Sequence, residues 1–321
     1  MRRYALLAFF LLTAVTVSAV AVETLTIASV HVKWLGFYEE RNCEALAHAL
    51  STYDVVVVQG IVAPPYEGTY PDGSAFQPDL EVAEFFDEMT VERGFSYLLS
   101  SEDTGAAILN HSNTTRTEWY AVFYDPARLE PAPDVYDTFL ADDVSAHPDY
   151  DRVPYAFGLR YRDTGFDFAL IAVHLHWGRN AEDSQRRTEE LAAIAEWIAD
   201  QPDEEHFIIL GDMNFEACNE ALAVVPAGFD VLNPNAFGEC LDTTTDLDIR
   251  TPADNAFTSD SVRVDRVFGM RVIDLVSGLS AIWNPLGEPI EDAYDDLDFV
   301  GQLSDHNPIV FKIDVPSGDS D

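Results

Sequence analysis

The sequence predicts an α/β chain built from two stacked mixed sheets flanked by helices. Three observations lead there. Many short strands are apolar on both faces, which demands cover on both sides. Few amphipathic helices separate them. No fixed-period repeat or change of composition divides the chain, so its strands belong to one domain.

β-Branched runs predict strands at Thr24–Val32, Val55–Val58, Ala121–Tyr124, Phe166–Val173, Phe207–Leu210, Val262–Phe268 and Ile309–Ile313. Helical spacing predicts Glu39–Ser51, then Leu80–Arg93 with Val82, Phe85, Phe86 and Met89 on one face. The third helix is Glu182–Ala199, whose Leu191, Ile194, Ala195 and Ile198 point inward and whose first turn is acidic, as the helix dipole prefers. The Pro, Gly and Asp-rich stretches Ala63–Pro78 and Pro131–Pro154 read as surface loops, because apolar strands resume after each.

Residues 1–21 read as a secretory signal. Arg2 and Arg3 precede the apolar run Ala5–Leu12, and Ala19 and Ala21 form an A-x-A cleavage site. Thr13, Thr16 and Ser18 interrupt the run before the roughly 20 apolar residues that a membrane span needs. The expectation is a secreted protein, extracellular or periplasmic, with no membrane span, a domain over 22–314 and an acidic tail over 315–321. A monomer is expected.

The 321 residues carry 18 Lys+Arg against 57 Asp+Glu, a formal charge of −39. Removing the signal takes Arg2 and Arg3 and no acid, leaving 16 − 57 = −41. With 47% hydrophobic residues the chain is globular, so this excess lies on a folded surface. Lys33 and Lys312 are the only lysines. Such a surface suits either a salt-adapted protein, whose self-repulsion is screened, or an ordinary acidic secreted one. In both cases a generic basic groove for nucleic acid is excluded. Phosphate contacts must be local or carried by metal ions.

Three cysteines in an oxidising compartment allow one bridge. Cys43 shares a helical stripe with Leu46, Ala47 and Leu50 and is expected as a buried free thiol, while Cys218 and Cys240, in loop-like sequence, are the expected pair.

Polar residues stand where apolar runs stop. His174 ends one, Asp212 and Asn214 follow another, Asp265 lies within Val262–Phe268, and Asp305 and His306 precede Ile309–Ile313. Polar groups at the ends of neighbouring strands converge on one rim of a sheet, where open sheets place their sites.

The segments DVVVVQ (54–59), RTEWYAVFY (116–124), RVPYAF (152–157), AVHLH (172–176), GDMN (211–214), VDRVF (264–268) and SDHNPI (304–309) resemble, in this order, the endonuclease/exonuclease/phosphatase superfamily, whose best-known member is deoxyribonuclease I. The resemblance covers nearly all of the mature chain, and GDMN together with SDHNPI is its most specific part. It implies a four-layer α/β/β/α sandwich and metal-assisted phosphoester hydrolysis with Mg2+ or Mn2+, Ca2+ being a further option. It also implies roles. His306 would serve the attacking water, with Asp265 on its other ring nitrogen, and His174 would be its counterpart on the leaving-group side, oriented by Glu118. Asp212 and Asn214 would position the phosphate, Arg152 would touch a phosphate oxygen, and Asp305 and Asp212 would ligate metal.

Two positions depart from the pattern. The asparagine that usually ends the first strand is His31, and the glutamate expected after Gln59, the principal metal ligand, is Gly60. His31 either packs beneath the site or offers a nitrogen to the metal in place of an oxygen. The expected function is a secreted phosphodiesterase, a nuclease for extracellular DNA or RNA, weakened or shifted in metal preference by Gly60. The alternatives are a phospholipid or inositol-phosphate phosphoesterase, for which Phe37, Tyr38 and Trp283 are candidate membrane-facing aromatics, and a non-catalytic phosphate-ligand binder. Nucleic acid is expected as a substrate and not as a tight partner, since like charges repel it.

Overall fold

The computed structural model describes residues 22–37, 41–105, 111–142, 147–201, 206–234, 238–245, 251–265, 269–273, 275 and 303–316. The signal segment, most of the acidic tail, Tyr38 and Trp283 lie outside these residues.

Two sheets form. The first has the order β12(Arg271–Val272), β13(Ile309–Val315), β1(Glu23–Leu35), β2(Val55–Ile61), β4(Trp119–Tyr124), β3(Ser96–Leu99). The second runs β10(Phe229–Val231), β11(Asp254–Ser259), β9(Phe207–Asp212), β8(Phe166–His174), β7(Tyr155–Tyr161), β5(Leu129–Pro131), with β6(Asp137–Phe139) also on β7. β1 with β2 and β8 with β9 are parallel, and these two pairs sit at the centre of their sheets.

Residue parity explains the layering. Leu25, Ile27, Val55 and Val57 pack into a core shared with β8 and β9, whereas Ala28, Val30, Val56 and Val58 pack against α1(Cys43–Leu50) and α2(Leu80–Asp87). A pleated strand with both faces apolar is covered once by a sheet and once by helices. α3(Ala181–Ala199), opened by a capping box at Asn180, adds Leu191 and Ile194 to the core of the second sheet. The architecture is the expected α/β/β/α sandwich.

The sequence places two elements differently. Val262–Phe268 is not a full strand: among its described residues only Val264 makes an isolated bridge, to Ile313, and the strand of that region is β11, eight residues earlier. Cys218 opens α4(Cys218–Val224) instead of lying in a loop. It is bonded to Cys240, and Cys43 is the buried free thiol. Closing a loop of 22 residues stabilises the fold by about 3 kcal/mol in the chain-entropy model. Among the described residues no helix is long and apolar enough to cross a membrane.

Two backbone features shape the rim where the strands end. β1 carries a bulge between His31 and Leu35, with Lys33 (φ 40°) and Trp34 (φ 57°) both left-handed. Non-glycine residues held there cost about 1–3 kcal/mol each and cluster at functional sites. At the end of β9, Gly211 has φ 144°, and a Cβ there would meet the Val173 carbonyl oxygen at 2.1 Å. Only glycine lets β9 pass this close to β8.

Candidate active site

The rim gathers most of the residues expected from sequence. Glu118 lies just before β4, His174 at the end of β8, Asp212 at the end of β9 and His306 just before β13. His174 Nδ1 bonds Glu118 Oε1 at 2.9 Å, and its Nε2 lies 3.6 Å from Asp212 Oδ2. His306 Nε2 lies 3.6 Å from that same oxygen and 3.8 Å from Asp305 Oδ1. Asp212 therefore stands between two imidazoles, each backed by a carboxylate.

The carboxylate behind His306 corrects the sequence assignment. Asp254 Oδ2 bonds His306 Nδ1 at 2.7 Å; Asp265 does not hold this place. Asp254 begins β11 and pairs in register with Asp212 at the end of β9, which brings it to the rim. Asp265 instead gives its backbone N–H to the Lys312 carbonyl, three positions past the first residue of β13, about 10 Å of strand away from the rim.

Asn214, at φ 52°, donates its Nδ2 to the Leu175 carbonyl and takes its own N–H to Asp212 Oδ1, closing the turn after β9. Arg152 lies with Nε 3.6 Å from Glu118 Oε1 and its guanidinium 5.5 Å from the Trp34 ring centre. Trp34 in turn stacks on His174 at 5.6 Å. The loop before β13 is pinned to β1 by Ser304 Oγ, which donates to the His31 carbonyl and accepts from the His306 N–H.

Sequence reading missed Lys33, Trp34 and Asp254. Lys33 Nζ lies 3.2 Å from Asp305 Oδ2, so one of only two lysines in a strongly acidic chain is spent on this rim. That scarcity was the available signal.

His31 is buried and packs against both catalytic imidazoles. Its ring centre is 4.7 Å from that of His174 and 4.9 Å from that of His306. Burial, then the charges of His174 and His306, hold its imidazole well below the ordinary range, so it is neutral. The ring fills the space in front of Gly60: a Cβ there would meet His31 Nε2 at 2.7 Å. Gly60 itself has φ 81°, and its N–H donates to Glu118 Oε2 at 2.6 Å.

Burial opposes the charge of His306, but Asp254 and Asp212 outweigh it and push the group up to about 10. With a folded value above the ordinary 6.5, its charge stabilises the fold fully below pH 6.5, and that contribution disappears as pH rises through 10. The melting temperature of wild type minus that of His306→Gln should therefore shrink between pH 6.5 and 10. A gap that widens over this range would contradict the ion pair.

Three groups of side chains place ligand atoms within 4.8 Å of one another: His31 with His174 and Asp212, His31 with Asp305 and His306, and Asp212 with Asp254 and His306. All three expected ligands, His31, Asp212 and Asp305, thus take part. The two groups containing His31 do not suit a hard octahedral Mg2+ or Ca2+, which wants oxygen. Imidazole nitrogens supply half or more of the donors in both groups containing His31, and Lys33 already neutralises Asp305.

No protein-family model matches the chain, and no curated protein matches it by sequence. Solved structures do. An endonuclease/exonuclease/phosphatase family protein from Bacteroides thetaiotaomicron superposes with TM-score 0.55 at 15% identity, over 91% of this chain and 95% of that one. TDP2 of D. rerio complexed with single-strand DNA product gives 0.52 at 16%, over 91% and 99%. A mannosyl-6-phosphatase of Bacteroides thetaiotaomicron gives 0.55 at 16%, over 91% and 100%. The chain has the fold of the endonuclease/exonuclease/phosphatase superfamily.

Proposed function

We propose that the chain is a secreted phosphodiesterase that hydrolyses extracellular DNA or RNA. The observation that carries the reading is the pair of histidine–carboxylate couples, His174–Glu118 and His306–Asp254, facing each other across Asp212. Two oriented imidazoles about one carboxylate suit a reaction that removes a proton on one side of a phosphorus and supplies one on the other.

Hydrolysis forms a bond from the water oxygen to phosphorus, breaks the bond to the leaving oxygen, takes a proton from water and gives one to the leaving group. His306, held as imidazolium, is the proton donor to the leaving oxygen; this reverses the roles implied by the family resemblance. Asp254 keeps its ring oriented and charged. His174 Nε2 and Asp212 form the opposite wall: without a cation they take the proton of the entering water, and with one they would hold it beside that water so that the proton leaves to solvent. Arg152 and Lys33 bring positive charge to a phosphate oxygen in a chain otherwise short of it. A divalent cation on that wall would supply Lewis-acid chemistry for the phosphoryl oxygen.

Trp177 favours a nucleotide substrate. It is 67% exposed and borders a surface hollow with Arg179, Asn214 and Phe215 beside the rim, a platform on which a base can stack. The plugged position in front of Gly60 favours the non-catalytic binder instead.

An assay panel separates these readings: plasmid DNA, RNA, sphingomyelin, an inositol phosphate and a chromogenic bis-ester, each at low and high salt. Expected are cleavage of DNA or RNA and, because screening relieves like-charge repulsion, faster cleavage as salt rises. Turnover of sphingomyelin or inositol phosphate alone would move the substrate class, and phosphate binding without any turnover would support the binder.

A further inference from the structure

His31 and Gly60 are coupled. The two strands are in parallel register with His31 opposite Gln59, so the end of β1 delivers an imidazole to the space that the missing side chain at 60 leaves open. Its Nε2 is buried and has no hydrogen-bond partner among the described residues. His31, His174 and Asp212 each bring one ligand atom within 4.8 Å of the other two, and His174 Nε2 lies 3.6 Å from an Asp212 oxygen. The bond from His174 Nδ1 to Glu118 leaves the His174 Nε2 lone pair facing this point, the carboxylate–histidine arrangement that accompanies metal ligation.

We propose that the cleft binds a nitrogen-preferring divalent ion of the Zn2+ class through His31 Nε2, His174 Nε2 and Asp212, in place of Mg2+. Two imidazoles and one carboxylate with open positions suit Zn2+ and its neighbours, not a cation that demands oxygen. Lys33 decides between the two groups containing His31: its ammonium on Asp305 repels a cation on that side and leaves the His174–Asp212 corner. A cation on Nε2 keeps the ring proton on Nδ1 and sacrifices only the 3.3 Å contact from the Lys33 N–H. The inference rests on the rim being the hydrolytic site, but its test needs no substrate.

The test is Co2+ titration of the chelator-treated protein, followed by visible absorption and equilibrium dialysis. Expected are one bound Co2+ with the intense visible bands of a four- or five-coordinate site, displacement by Zn2+, and no displacement by a hundredfold excess of Mg2+. Glu118→Gln should weaken Co2+ about 10- to 100-fold and His31→Gln by more than that. Should His31→Gln fail to fold, proton NMR of the wild-type Co2+ form replaces it: two hyperfine-shifted, exchangeable imidazole N–H signals are expected. Failure to bind Co2+, preference for Mg2+, unchanged affinity in His31→Gln, or fewer than two such signals would overturn the proposal. Mg2+-supported phosphoester hydrolysis without Co2+ binding would overturn it and leave the hydrolase reading standing; Co2+ binding as described without hydrolysis would do the reverse.

Discussion

Asp254→Asn is expected to lower phosphodiester turnover about a hundred- to ten-thousandfold, the range that an oriented acid–base group supplies, while Asp265→Asn leaves it unchanged. Asparagine keeps the size of Asp254 and offers an oxygen to His306 Nδ1, but it no longer offsets the imidazolium in a fully buried place. The ring loses its charge, and a neutral acceptor holds its orientation less firmly. Asp265, beside Lys312, touches neither. Steady-state rates of the two variants on one substrate decide between them, and a loss confined to Asp265→Asn would restore the sequence-based pairing. Far-ultraviolet circular dichroism separates lost chemistry from lost fold.

The second large effect concerns position 60. Gly60→Glu alone should damage the protein and not repair the site. Its φ of 81° strains any L side chain, and the new Cβ would meet His31 Nε2 at 2.7 Å. Left-handed strain and overpacking together cost about 2–5 kcal/mol, which lowers the melting temperature by roughly 5–10 °C. Adding His31→Asn vacates the ring's volume. The double variant should recover much of that loss and gain Mg2+ binding, because the added carboxylate then faces an oxygen-rich opening. Calorimetric melting and Mg2+ titration of the single and double variants check both statements. A single variant as stable as wild type, with enhanced Mg2+ binding, would show that His31 does not occupy the place.

Much of this was legible in the sequence because the residues concerned sit at the ends of strongly apolar strands. Val55–Gln59 and Phe166–His174 announce their strands by β-branched content, so His174 and Asp212 could be placed on one rim without coordinates. Asp254 could not. Its strand reads DNAFTS, with one aromatic and no Val or Ile, whereas the nearby VRVDRVF has the stronger strand pattern and a more conspicuous aspartate. Antiparallel pairing with β9 overrides that weak local signal. Lys33 and Trp34 owe their positions to left-handed backbone in residues that rarely adopt it, which no propensity reveals. Gly60 looked in sequence like a gap in a ligand set. The filling ring comes from a neighbouring strand, and only the parallel register of β1 with β2 brings it there.

His306 as the proton donor to a leaving oxygen is the central step of the proposed reaction. The direct measurement is the effect of His306→Gln on kcat/KM for two substrates that differ only in leaving group, a dinucleotide and the matching nucleoside 4-nitrophenyl phosphate. An alkoxide cannot leave without a proton, whereas nitrophenolate can. The predicted result is a loss of about a hundred- to ten-thousandfold on the dinucleotide and at most about tenfold on the nitrophenyl ester. Equal losses on both, or a wild-type protein that cleaves neither, would contradict it.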